Sequence, residues 1–301
     1  MTPKTILLAT AFLLLCDGHC PAQAGFTDGV DLTTTRAPWT LRILGNDVDI
    51  ANVQVKPDEQ SAYFMMNSRS SELNVSVFIE PAVKCKTSEA CRDYVLDLGN
   101  PAWGKFQDLV KSKIKDFHYF EFYRPEAMGK PLKMFDMYAQ YVDQGYWVDV
   151  HISKALYTKA DHALFEKVIN SISFVPKSGA TPAAFDTQKA AGEKDAGTWL
   201  AIWGKPKCRE SYLGLSSITR SDIGEKLWID YCEKANGSLG ANSSRKLVAA
   251  AFTRSIPPKV ASPVAILAYQ SNFANQASVV ELLALMLEKD GKWTVTNYLT
   301  R

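Results

Sequence analysis

Residues 133–153 constrain the fold more than any other stretch of this chain. Lys133–Val142 and Tyr146–Ser153 both alternate polar with apolar side chains, and Asp143-Gln144-Gly145 between them is a turn signal. A two-residue loop at Gln144-Gly145 sets Gln140 opposite Asp149, Tyr138 opposite His151 and Asp136 opposite Ser153. The other face then pairs Tyr141 with Val148, Ala139 with Val150 and Met137 with Ile152. Slipping the register by one residue would exchange the polar and apolar faces. The pattern therefore specifies an antiparallel hairpin with one buried face.

The surrounding residues extend this into a sheet. Strands are expected at Trp39–Leu44, Val53–Lys56, Ala62–Asn67, Leu73–Ile79, Phe117–Tyr123 and Ile172–Val175. Helices are expected at Ser88–Leu98, with Ser88 as its cap, and at Lys159–Ile169. The lysines Lys105, Lys111, Lys113 and Lys115 are interleaved with Asp108 and Asp116 and read as the solvated face of a helix.

The first residues are of another kind. Lys4 precedes an apolar run from Ile6 to Leu15, and Ala22-Gln23-Ala24 offers small residues where a signal peptidase cuts. The apolar run is about ten residues long, against the roughly 20 needed to span a bilayer as a helix. Residues 1–24 thus read as a signal peptide cleaved near Ala24, which places the mature protein in the periplasm or outside the cell, with no stable membrane span.

Cleavage leaves four cysteines: Cys85, Cys91, Cys208 and Cys232. An even number in an exported chain points to disulfides. Of the three connectivities, the local pairs Cys85–Cys91 and Cys208–Cys232 are favoured, one in each half. The spacing matches neither a CxxC redox motif nor a zinc site with partner histidines.

Residues 177–185, small and containing one proline, read as a linker between a unit at 26–176 and another at 186–301. The second unit begins with helices, Asp186–Trp203, Cys208–Leu215 and Asp222–Ala235, the last capped by Ser221. It ends with the strands Lys246–Thr253, Val264–Phe273, Val279–Glu288 and Lys292–Leu299, with a hairpin turn at Asp290-Gly291. Helices followed by a strand meander define an α+β layout.

Two resemblances attach to these units. Residues 196–301 resemble a bacterial exported domain family of unknown function with a cystatin-like, nuclear-transport-factor-like, cone-shaped α+β fold. The matching residues are Trp199-Leu200, Trp228, Gly240, Arg245, Pro257-Pro258, Tyr269, Phe273, Glu281 and the ending Asp290-Gly291-Lys292-Trp293-Thr294-Val295-Thr296-Asn297-Tyr298. Residues 37–176 are similar to the PsbP-like αβα sandwich group through Pro38-Trp39, the hairpin, and a closing helix followed by Ile172-Ser173-Phe174. That group implies accessory and binding roles; neither resemblance implies catalytic residues.

The chemistry is sparse. Lysine plus arginine exceed the acids by two, which argues against a nucleic-acid binder needing a basic stripe. No phosphate loop, dinucleotide fingerprint, GxSxG or HExxH occurs, so no cofactor, metal or catalytic residue is assigned. Asp149, His151 and Ser153 share a strand face with parallel side chains about 7 Å apart, unlike the convergent geometry of a triad. With Asp136, Tyr138 and Gln140 they form the candidate recognition patch. His162, on the adjoining helix, reads as a packed or surface histidine, with an approach to His151 as the alternative. Trp199 and Trp203, four apart, read as core. Glu281, alone among apolar neighbours, is either the buried partner of Arg245 or Arg254, or the polar anchor of a ligand cavity in the cone.

The expected function is that of a non-enzymatic binding or accessory protein of the bacterial periplasm, meeting an envelope protein. The alternative is a small-molecule binder or enzyme using the C-terminal cavity.

Overall fold

The computed structural model describes residues 29–45, 48–56, 60–68, 70–100, 103–104, 106–127, 130–177, 184–203, 207–253 and 262–301. The leader, Arg254 and Pro257-Pro258 lie outside the described residues. Among these residues fourteen strands run in chain order: β1 (Gly29–Thr34), β2 (Trp39–Leu44), β3 (Val48–Val55), β4 (Ala62–Ser68), β5 (Asn74–Pro81), β6 (Gln107–Ile114), β7 (Phe117–Ala127), β8 (Lys130–Asp143), β9 (Tyr146–Lys154), β10 (Ile172–Pro176), β11 (Asn242–Thr253), β12 (Val264–Phe273), β13 (Val279–Leu287) and β14 (Trp293–Thr300). Among the described residues six α-helices join them: α1 (Ser88–Leu98), α2 (His162–Ser171), α3 (Ala184–Trp203), α4 (Cys208–Leu213), α5 (Ser217–Ile223) and α6 (Glu225–Leu239).

The fold is mixed α+β with two antiparallel, seven-stranded sheets. The first sheet has the order β3-β4-β5-β9-β8-β7-β6, the second β10-β2-β1-β11-β12-β13-β14. The second sheet draws on both ends of the chain. β1 pairs with β11 from Val30 opposite Thr253 to Thr34 opposite Ala249, so the early strands β10, β2 and β1 extend the late meander.

Both sheets turn an apolar face to one core. Val75, Val77, Ile79, Met137, Ala139, Val150 and Ile152 come from the first sheet; Leu32, Leu41, Ile43, Ala251 and Leu282 come from the second, with Phe165 and Val168 of α2. Period-two alternation on each strand produces this arrangement, because successive side chains point to opposite faces. The outer face of the second sheet carries its own core, in which Trp199, Trp203 and Trp228 meet Leu283, Leu285, Trp293 and Val295. On the outer face of the first sheet lies α1, packed on β7 and β8.

The β8–β9 hairpin has the register read from its alternation, with Tyr138 opposite His151 and Gln140 opposite Asp149. Gln144 and Gly145 have φ of 48° and 80°, the paired positive values of a type I′ turn that follows the right-handed strand twist. Other local expectations need correction. The lysine-rich stretch is not helical: β6 is an edge strand, because Lys111 and Lys113 alternate with Val110, Ser112 and Ile114. Lysines and the register shift between Gln107 and Val110 are devices that discourage edge pairing. Thr87, not Ser88, caps α1 by accepting from Ala90 N at 3.1 Å; Ser88 Oγ instead accepts from Val142 N. The helix expected from Asp222 divides at Gly224, φ 73°, into α5, capped by Ser216, and α6.

Candidate functional site

The polar side of the β8–β9 hairpin faces α1 and is tied together residue by residue. Asp136, fully buried, accepts from Arg124 of β7 through Nε at 2.6 Å and Nη2 at 3.0 Å. The same carboxylate accepts from His151 Nε2 at 2.9 Å. His151 lies flat on Tyr138, ring centroids 4.1 Å apart and planes within 6°. Tyr138 OH in turn accepts from Trp103 Nε1 at 2.9 Å. A second chain of bonds runs from Trp147 Nε1 to Gln140 Oε1 at 2.6 Å and from Gln140 Nε2 to Asp149 Oδ1 at 2.7 Å.

This arrangement brings the six patch residues together, with unequal access. Asp136, Gln140 and Ser153 are buried, whereas Tyr138, Asp149 and His151 are half-buried. Desolvation pushes the Asp149 carboxyl up to about 6, against the Gln140 hydrogen bond and the His151 charge, which lower it. Burial likewise raises Tyr138. His151 is bonded to Asp136, not to Asp149 or Ser153. Its stack on Tyr138 covers one face of the ring, and a triad is not assembled. His162 lies on the other face of the sheet: it meets Glu121 at 3.0 Å, and Glu121 stands opposite Met137 on the core side. It does not approach His151.

Next to the hairpin the same outer face continues onto β5, β4 and β3. Phe78 stands opposite Asp149 and Tyr63 opposite Phe78. Their rings are 4.4 Å apart, and Phe78 is 36% exposed. Sequence reasoning passed over both residues. The available signal was phase: Val75, Val77 and Ile79 fill the core, so an aromatic at position 78 must point outward.

Glu281 on β13 is fully buried and saturated. Oε1 accepts from Arg245 Nη2 at 2.9 Å and Tyr298 OH at 2.6 Å; Oε2 accepts from Arg245 Nε at 2.6 Å and from Ser271 Oγ. Of its two sequence readings, the geometry displays the ion pair with Arg245, and the surrounding cone is filled by Leu283, Leu285, Trp293 and the three helical tryptophans. Burial and the neighbouring Glu281 carboxylate push Tyr298 far above the usual phenol range.

The structure pairs Cys85 with Cys91 and Cys208 with Cys232. The first tethers the loop before α1 against Trp147, and the second joins α4 to α6. Among the described residues no group of three or more His, Cys, Asp or Glu side chains could hold a metal ion, and no helix is long and apolar enough to cross a membrane.

The surface of α3 between Asp186 and Asp195 is engaged with the second sheet. Lys189 reaches Asp31 of β1, Asp195 accepts from Trp293 N at 3.2 Å, and burial raises Glu193. Nearby, burial pushes Lys177 down to about 8, opposed by the Glu193 charge.

Residues 195–298 match the family described as "Protein of unknown function (DUF4019)", on the stretch where the C-terminal resemblance was read. Comparison with curated proteins gives no match. The solution structure of cyanobacterial PsbP (CyanoP) from Synechocystis is similar at a TM-score of 0.36 and 14% identity, over 52% of this chain and 97% of that one. A crystal structure from Bacteroides thetaiotaomicron is similar at a TM-score of 0.36 and 11% identity, over 88% of each chain. Likenesses this distant carry no site or activity across.

Proposed function

We propose that this chain is an exported accessory protein of the bacterial periplasm that acts by binding, through the outer face of its first sheet around Asp149 and His151. The observation that carries this reading is the buried Asp136 carboxylate, which holds Arg124 and His151 at once. A side chain locked in this way presents its exposed edge with little entropy left to lose on contact. The patch Asp136, Tyr138, Gln140, Asp149, His151 and Ser153 then acts in two tiers, with buried members positioning half-exposed ones. The two disulfides suit an oxidising compartment. The units 26–176 and 186–301 act as one body, joined through β1 and β11.

The test is photocrosslinking in intact cells of the native host, with the reactive side chain at position 151 and a control at exposed Glu233. The expected result is a discrete adduct from position 151 alone, on a mature chain beginning near Gly25. Equal labelling from both positions, or a cytosolic chain with its leader retained, overturns the proposal.

A further inference from the structure

We infer that the open half of this outer face, on β3, β4 and β5, is a binding site for a neutral saccharide; this rests on the recognition reading above and names the ligand class. The outward positions of β5 are Asn74, Ser76, Phe78 and Glu80, and only Phe78 is apolar. Across the ladder, Tyr63 faces Phe78 and Met65 faces Ser76 on β4, while Gln54 faces Tyr63 and Asn52 faces Met65 on β3. Four side-chain amides lie to one side of the two aromatic rings: Gln54 and Asn52 on β3, and Asn67 and Asn74 beyond Met65 and Ser76, with Asp49 opposite Asn67.

None of these four amides makes a side-chain hydrogen bond among the described residues, and Gln54, Asn67 and Asn74 are exposed. Each offers two N–H donors and a carbonyl acceptor. Among the described residues the cation at the border, Lys56, pairs with Glu80 at 2.9 Å. The described residues of the face thus combine two aromatic rings with neutral donors and acceptors, and its carboxylates Asp49 and Asp149 stand opposite Asn67 and Phe78.

That combination selects among ligands. A phosphate or polyanion would meet the carboxylates Asp49, Glu80 and Asp149 on this face. A purely apolar partner would leave four amides dehydrated without partners, at a cost for each one. A sugar ring satisfies both requirements, because its C–H face sets partial positive charge against the negative face of an aromatic ring and its hydroxyls both donate and accept. Strands lie about 4.8 Å apart, so the platform from β3 to β9 accommodates an oligosaccharide lying across the strands, with His151 and Asp149 at its far end.

The test is calorimetric titration of the full-length mature chain with soluble chito-oligosaccharides and cello-oligosaccharides, alongside Phe78→Ala and Tyr63→Ala. The expected result is saturable binding of at least one series, weakened roughly ten- to hundred-fold by either substitution, with the melting temperature of Phe78→Ala held near that of the parent. No saturable heat with either series up to about 10 mM, or binding untouched by Phe78→Ala, overturns the inference. Crosslinking from position 151 separates the two failures: a protein adduct without saccharide binding sinks this inference and leaves the recognition reading standing, and loss of both sinks both.

Discussion

Lys189 on α3 places its ammonium 3.1 Å from Oδ2 of Asp31 on β1, joining residues 158 positions apart. Asp31 is 1% exposed and also accepts two bonds from Arg42 at 2.9 Å each. Asp31→Asn removes the buried carboxylate between Arg42 and Lys189, leaving Asp186, 2.6 Å from Lys189 and 3.9 Å from Arg42, as their counter-charge, and is expected to cost about 3 kcal/mol. Lys189→Met removes one cation and leaves Arg42 in place, for a loss of about 1–2 kcal/mol. Urea unfolding monitored by tryptophan fluorescence decides this; the two variants falling in the reverse order would show that Lys189, not Asp31, dominates the clamp.

Breaking the buried pair in the C-terminal core should be as severe. Glu281→Gln strands the Arg245 guanidinium, with an expected loss of about 3–5 kcal/mol. The double change Glu281→Leu with Arg245→Met removes both charges and should recover more than half of that loss. A double variant no more stable than the single one would show that Ser271 and Tyr298, left behind by the carboxylate, set the cost.

Asp149 makes stability depend on pH in a specified direction. Its folded value near 6 stands above the ordinary carboxylate value of about 3.9, so the folded state holds a proton that the unfolded chain has released. The resulting stabilisation is complete below about pH 4 and is lost as pH rises through 6. Asp149→Asn imitates the protonated form and should raise stability by about 1–2 kcal/mol at pH 7.5 while changing nothing at pH 4. Paired melting curves at the two pH values check it, and an equal shift at both would remove titration of Asp149 as the cause.

The disulfides should separate by loop length. Cys208–Cys232 spans 24 positions and Cys85–Cys91 spans 6. Chain entropy assigns them about 3.5 and 2.4 kcal/mol. Replacing each pair with serines should therefore lower stability more for the C-terminal bridge. Intact mass after alkylation, with and without reduction, confirms that both bridges are present in the starting material.

What could be read from the residues alone follows from the range of each interaction. The β8–β9 register was legible because a turn of two residues and two chemically distinct faces leave one solution. Arg245 was named among two partners for Glu281, since a carboxylate on an apolar strand must find a cation. β1 was missed: its six residues carry too little alternation, and its partner β11 lies at the other end of the chain. β6 was misread because lysines spaced by two resemble any solvated surface. The role of Asp136 was only half visible, since Arg124 reaches it from a third strand that no hairpin argument includes. Phe78 is hidden in the sequence because one aromatic within a largely apolar strand resembles a core residue.

The strand order of the second sheet also bears on biosynthesis. Val30 must wait for Thr253, so during translation or translocation the early strands emerge long before the strand that completes their ladder. Pairings of such sequence separation form slowly. Until β11 arrives, the flank of β1 is a naked backbone edge able to recruit a foreign strand, and a holding chaperone would find its target there, in a chain whose first hairpin has already closed.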